Sequence, residues 1–277
     1  MTLIELMVAM AVLSVLVVML VQVLNNTGSA WTAGQAQTER RGAARVLADS
    51  VARDLQTALM PMDTADPTTL QFVLNPAGVP APYRNSDALF WQTPIATDAS
   101  RGDVAEVGYF LKWDTTTKPG IACPQFCRFF VNPTDANYLI YKQPSSWLSG
   151  TILDAVAPGN NVGGNAYRGL FAENVIGFWA RCYVPNTNTT DPTQTGKLIL
   201  STGPYDSRVK KALPRSVKIS LVIVDSRALP KLKAIPDYST AGSAGEPDLQ
   251  NFIANLPNGV RQACQSYSTE IFLQNAQ

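Results

Sequence analysis

The chain of 277 residues contains no histidine. That absence excludes a Ser-His-Asp or Cys-His nucleophile system and any His-ligated zinc. Charge is also scarce: Asp, Glu, Lys and Arg make up 16% of the residues, against roughly a quarter in an average soluble domain. The 22 basic and 21 acidic side chains nearly cancel, at a net charge of +1. A nucleic-acid binder would show a basic excess, so that class is not expected. There is no GxxxxGK[ST] phosphate loop, no GxGxxG turn, no D-x-[DN]-x-[DN]-G calcium loop and no internal repeat. Glycine (18) and proline (19) are not in excess, and 46% of residues are hydrophobic, so the chain has the composition to fold. Its length suits one or two domains with a sizeable core.

The charge deficit is concentrated at the N-terminus. Residues 1–24 carry only four polar side chains, Thr2, Glu5, Ser14 and Gln22, and no charge occurs between Glu5 and Glu39. About 20 apolar residues suffice for a helix to cross a bilayer core. No Lys or Arg precedes the apolar run and no A-x-A-like site follows it, so it reads as a retained segment and not as a cleaved signal. With apolar residues all round and no polar face, such a helix belongs in lipid or among other helices. Glu5 stands out within it. An ionisable group in a membrane helix is costly unless paired, and is a functional candidate on that ground. The alternative is that it sits wet at the headgroup level.

The string Thr2-Leu3-Ile4-Glu5-Leu6-Met7-Val8-Ala9-Met10 resembles the start of mature type IV pilins and of type II secretion pseudopilins. The resemblance implies a prepilin peptidase that cuts after a glycine just before residue 1. It also implies N-methylation of Met1, where Phe is usual, and a role for Glu5 in subunit assembly. Major pilins commonly carry proline at position 22 and a helix-weakening residue near 14; here these are Gln22 and Ser14. Asn25-Asn26-Thr27-Gly28-Ser29 is expected to provide a weak point instead, because Asn and Gly are poor helix formers. Arg41–Leu55 is similar to the helix of the J-type minor pseudopilins, which an acid-leucine pair closes. Leu213-Pro214-Arg215-Ser216-Val217-Lys218-Ile219 looks like their penultimate strand.

The helix is expected to continue to about residue 60, roughly 90 Å at about 1.5 Å per residue. Leu47, Val51, Leu55 and Leu59 recur at i+4, Ala44 and Ala58 join the same stripe, and Pro61 stops it. Arg45–Asp49 and Asp49–Arg53 are spaced as i,i+4 pairs. Beyond Pro61 the texture becomes β. Strands are expected at Leu70–Leu74, Ala88–Gln92, Val104–Trp113, Arg128–Val131, Tyr138–Lys142, Val175–Val184, Lys197–Ser201 and Val217–Val224. Two short helices are expected, after Pro247 to about Leu256 and over Val260–Tyr267. Residues 114–122, 156–165 and 185–196 read as loops and Ser239–Gly245 as a surface linker.

Four cysteines, Cys123, Cys127, Cys182 and Cys264, allow three pairings. Disulfides persist outside the cytoplasm, and the expected pairs are Cys123–Cys127 and Cys182–Cys264. Buried thiols are the alternative; a four-thiolate zinc site lacks a second CxxxC. The acid pairs Asp63/Asp66, Asp98/Asp103 and Glu246/Asp248 could in principle serve glycosidase chemistry, but no motif surrounds them. Trp91, Trp113, Trp147, Trp179 and Tyr183 read as sheet core before ligand platform.

The expected architecture is α+β: an N-terminal helix over 1–60, with 1–24 for membrane or filament core and 25–60 amphipathic, packed on an antiparallel β-sheet domain over 61–277. The expected function is a non-enzymatic structural subunit of a type IV pilus or type II secretion pseudopilus. No cofactor or metal is expected. Its partners are other pilin or pseudopilin subunits and the prepilin peptidase, with no nucleic acid. It resides in the bacterial inner membrane with a periplasmic domain, and then in a periplasmic or cell-surface filament. The alternative is a membrane-anchored extracytoplasmic β-domain that binds a ligand or hydrolyses glycan.

Overall fold

A computed structural model describes residues 3–59, 70–156, 169–187, 193–242 and 245–276. Helix α1 spans Leu3–Gln56 without interruption. The Asn25–Ser29 run is helical too, so the expected weak point does not break the helix. The hydroxyls of Thr27 and Ser29 bond to the carbonyls of Val23 and Asn26, which keeps them from competing with the helical ladder elsewhere. Pro61, the expected stop, lies outside the described residues.

The chain divides into two compact units, Met1–Ala43 and Ala44–Gln277. In the first, the described part is helical throughout and the side chains of Leu3 to Leu24 are all exposed. The second is α+β. Its strands are β1 (Val73–Leu74), β2 (Leu89–Thr93), β3 (Ala105–Asp114), β4 (Cys123–Val131), β5 (Gly169–Ala172), β6 (Val175–Pro185), β7 (Leu198–Leu200), β8 (Ser216–Val224) and β9 (Cys264–Phe272). Short helices are α2 (Gly150–Val156), α3 (Ser207–Lys210), α4 (Leu249–Ala254) and α5 (Asn258–Arg261). The strands form two antiparallel sheets, ordered β1-β2-β3-β4-β5 and β7-β6-β8-β9.

Most expected strands appear within a residue or two of their bounds. Tyr138–Lys142 does not: it forms turns. Val260–Tyr267 is likewise not a helix. It turns once at α5 and enters β9, which pairs along the whole of β8 from Ser216↔Phe272 to Val224↔Cys264. The reason is tertiary. β8 is buried along nearly its full length and continuously apolar from Leu221 to Val224, and its free edge needs a hydrogen-bonding partner.

One apolar cluster joins the α1 stripe Ala44, Leu47, Ala48, Val51 and Leu55, and Ala58 just beyond the helix, to both sheets. In β3, Ala105, Val107, Tyr109, Leu111 and Trp113 face that cluster, whereas Phe110 faces a second one. The second lies under a cover made by residues 138–153, including Ile140, Trp147, Leu148, Ile152 and Leu153, which pack with Phe90, Phe110, Phe129 and Val131. The first sheet is thus buried on both faces, which is why β2 and β3 are buried almost throughout and carry apolar runs such as Leu89–Trp91 and Tyr109–Leu111 instead of simple alternation. Gly108 is required there: a Cβ would collide with the ring of Phe90, its cross-strand partner. The β6–β8 sheet has its own cover, where Trp179 meets Tyr238 and Phe252 at ring centroid distances of 6.1 and 5.1 Å.

Polar contacts set the register between layers. In the last turn of α1, Asp54 Oδ2 accepts from Arg128 Nε (2.8 Å), Arg128 Nη2 (2.7 Å) and Tyr109 OH (2.8 Å). Trp91 Nε1 donates to the Asp54 carbonyl at 3.1 Å. Arg128 also lies over the Phe130 ring, 4.7 Å from its centroid. Tyr109 and Arg128 are directly opposite on β3 and β4, so a single carboxylate ties the helix to two strands. Asp87 plays the matching role between sheets. Its N–H donates to Phe178 O, and its Oδ2 accepts from Ala180 N and Arg181 Nη1 (3.0, 2.9 and 2.6 Å). It stands in for a neighbouring strand along the edge of β6.

The Asp54–Arg128 pair has side-chain exposures of 14% and 13%. Removing one partner of so buried a pair strands the other, at a cost of about 3–5 kcal/mol. Asp54→Ala should therefore destabilise the full chain in detergent by about that amount, and Tyr109→Phe by only about 1 kcal/mol. Chemical unfolding followed by tryptophan fluorescence measures both; equal, small losses would show that the ion pair does not organise the helix junction.

Candidate functional site

Glu5 lies in the first turn of α1. Its neighbours Leu3, Ile4, Leu6, Met7 and Val8 are 57–80% exposed, and large apolar side chains remain exposed through Leu24. Residues 3–24 cover about 33 Å at about 1.5 Å per residue, close to the roughly 30 Å of a bilayer core. The helix is long and apolar enough to cross a membrane, and none of its most apolar stretch is buried within the chain. Ser14, the polar residue midway, bonds its hydroxyl to Ala11 O at 2.8 Å, which satisfies it without a partner from outside. Glu5 therefore remains as the carboxylate of the segment. Negative charge at a helix N-terminus is favoured by the axial dipole. Met1 lies outside the described residues.

The cysteines do not pair as expected, and none of the four sulfurs is in a disulfide. Cys123 and Cys127 both belong to β4. Four residues along a strand span about 13 Å, beyond the roughly 7 Å Cα separation that a disulfide bridges. Cys182 lies opposite Val217, and Cys264 opposite Val224, on either side of β8, seven residues or about 23 Å apart along it. The expectation failed because spacing in sequence carries no distance until the local structure is known. Burial pushes the Cys127 thiol up to about 12 and the Cys182 thiol upward as well, so both are unreactive thiols. Cys127 donates to Gln125 O and Cys264 to Val260 O.

Three acids of the candidate pairs have structural partners. Glu246 pairs with Lys218 Nζ at 2.9 Å, Asp248 caps α4 through Asn251 N, and Asp98 accepts from Ser100 N. Asp63 and Asp66 lie outside the described residues. Arg45 and Asp49 approach to 3.8 Å in solvent, whereas Arg53 donates to Ser50 Oγ instead of to Asp49. Trp91, Trp113, Trp147 and Trp179 are buried, and Tyr183 is half-buried. A cleft of about 380 Å³ opens beside Asn75, Asp87, Arg181 and Ser201. Its charged groups bond to each other and to Asn75 and Gly245, an arrangement that joins the sheets and presents no nucleophile–base pair.

Sequence reasoning missed Asp54, Asp87 and Glu106. Asp54 was visible as the acid of an acid-leucine pair, but its partner Arg128 is 74 residues away. Glu106 is fully buried in β3, where Oε1 accepts from the backbone N–H of Leu139 and Ile140. No pattern in the strand Ala105–Asp114 distinguishes it from a surface acid. No family model, curated protein or solved structure matches this chain.

Four thiols should react with an alkylating agent in the denatured protein without prior reduction. In the folded protein the half-buried Cys123 and Cys264 should react first, and Cys127 and Cys182 only after unfolding. Mass spectrometry counts the adducts; fewer than four without reductant would restore a disulfide.

Proposed function

We propose that this chain is a pilin-like structural subunit of a type IV pilus or type II secretion pseudopilus filament. Residues 3–24 hold it in the inner membrane before assembly and pack against equivalent helices of neighbouring subunits afterwards. The observation that carries this reading is Glu5 in the first turn of a helix whose apolar side chains are exposed on every side through Leu24. A helix of that kind needs lipid or other helices around it. A carboxylate at its start needs a cation or water, because unpaired burial costs several kcal/mol. The nearest basic side chain in sequence is Arg40, about 50 Å along a helix. In this reading Met1 is the processed terminus, and its α-amino group is the positive charge nearest Glu5 in sequence, on the same chain or on a neighbour.

In a bundle of such helices the Glu5 carboxylate of one subunit meets the Met1 amine of the next. Attraction is stronger in that low-dielectric setting. A single buried polar contact sets register, as one polar residue does in a coiled coil. The acid-leucine pair Asp54-Leu55, which locks the end of α1 onto β3 and β4, supports placement with the J-type minor pseudopilins or minor pilins. Prepilin peptidase is the processing partner that this reading implies, with Met1 as the N-methylated terminus and the domain from residue 61 onward on the periplasmic side. Catalysis forms no part of the role.

Glu5→Ala should leave the protein folded and membrane-inserted. It should cut incorporation into filaments about tenfold or more, since a loss of only 1.4 kcal/mol is already tenfold. Electron microscopy of sheared filaments and blotting of the membrane fraction read the two halves. Undiminished incorporation would mean that the carboxylate is merely tolerated at the membrane surface.

A further inference from the structure

Glu106 sits at the centre of a polar seam between the first sheet and its cover. The seam starts at Gln92, the cross-strand partner of Glu106 on β2. Gln92 Oε1 accepts from Gln71 N at 2.5 Å. Gln71 in turn donates through Nε2 to Pro144 O and accepts from Trp147 Nε1, both at 2.9 Å. On the other side, Glu106 Oε1 accepts from Leu139 N (3.2 Å) and Ile140 N (2.9 Å). Leu139 and Ile140 belong to the start of the cover. Gln92 and Glu106 are both fully buried, yet Gln92 Nε2 and Glu106 Oε2 have no hydrogen-bond partner. The Gln92 amide is anchored through its oxygen by Gln71 and is not free to turn its nitrogen at will.

An ionised carboxylate with one oxygen undonated in a dry interior is strongly disfavoured. Among the described residues, the groups that face it include no cation. From β2 the facing residue is the neutral Gln92, and from β4 the register partner is Val131. From the turn leading to the cover come Asp135, whose charge opposes a second negative charge, and Tyr138. Tyr138 donates to Val104 O at 2.9 Å and senses Tyr141 and Asp103. Each of these groups is neutral or acidic.

We propose that Glu106 is a proton-operated latch: as the neutral acid it holds the cover formed by residues 138–153 closed on the first sheet, and its ionisation loosens that cover. Closing the cover takes the carboxyl out of water, and opening it returns the carboxyl to water. Burial raises the Glu106 carboxyl from 4.5 to about 8 in the closed state, while the open state keeps an ordinary value. The closed state therefore binds the extra proton throughout the window between those values. Protection is greatest below about pH 4.5 and is lost progressively as pH rises to about 8. Above that both states are ionised and the dependence levels off. What opening bares is the apolar set Phe90, Phe110, Phe129 and Val131. The latch thus couples the availability of that face to proton concentration, with acid keeping it covered.

Hydrogen exchange of the full chain in detergent micelles tests the latch, read on the peptide containing Leu139 and Ile140. After division by the intrinsic exchange rate, the opening equilibrium should rise about tenfold per pH unit between pH 5 and 8 and then flatten, the slope of one linked proton. Glu106→Gln should abolish that slope, leaving a pH-independent opening equilibrium, while peptides from β8 and β9 remain unchanged. If the variant does not fold, the wild-type infrared spectrum decides. A protonated-carboxyl carbonyl band at pH 6 that disappears by pH 10 is expected. Absence of that band at pH 6, or a wild-type cover whose corrected exchange does not vary with pH, overturns the proposal.

Discussion

Asp54 is the residue on which the second unit is organised, because three strands of one sheet and the end of α1 converge on it. Arg128 and Tyr109 bond to its carboxylate and Trp91 to its carbonyl. Each donor comes from a different strand, β4, β3 and β2 in turn. The contacts specify rotation and height of the helix over the sheet, which apolar packing alone does not do, since the hydrophobic effect is non-directional. The stripe from Ala44 to Ala58 supplies the area; the carboxylate supplies the register. The i,i+4 pair Arg45–Asp49, by contrast, lies in solvent and contributes little.

A second constraint follows from having two antiparallel sheets of similar size in one domain. Each sheet turns one face to the shared core and needs something on the other, because central strands such as β3 and β6 are buried on both. The chain meets that need with two covers of mostly irregular structure, residues 138–153 on one side and a segment including Tyr238 and Phe252 on the other. Irregular backbone leaves N–H groups without ladder partners, and these must be satisfied from the sheet beneath. Glu106 does this for Leu139 and Ile140, and Asp87 does the equivalent service for the open edge of β6. Glu106 and Asp87 therefore both act as acceptors for backbone N–H groups.

The N-terminal unit obeys different physics. Its large apolar side chains from Leu3 to Leu24 are exposed. Whatever covers them is lipid or another molecule, and the proposed filament role assigns both in succession. In that proposed role Glu5 is the group that discriminates between neighbours, since apolar side chains against apolar surroundings offer area without register.

Much of this was legible in the sequence where the governing forces are local. The apolar run, the helix from residue 3, the stripe ending at Leu55 and Ala58, and strands such as Val217–Val224 follow from periodicity and side-chain shape, which act over a few residues. Tertiary structure alone decided the rest. β9 reads locally as a helix end, and becomes a strand because β8 presents an open edge. Cys123 and Cys127 are near in sequence but held apart by an extended strand, whereas Asp54 and Arg128, 74 residues apart, are brought into contact. Glu106 carries no local mark at all. Its protonation depends on what folds over it, and solvation by distant segments is a property that no stretch of sequence contains by itself.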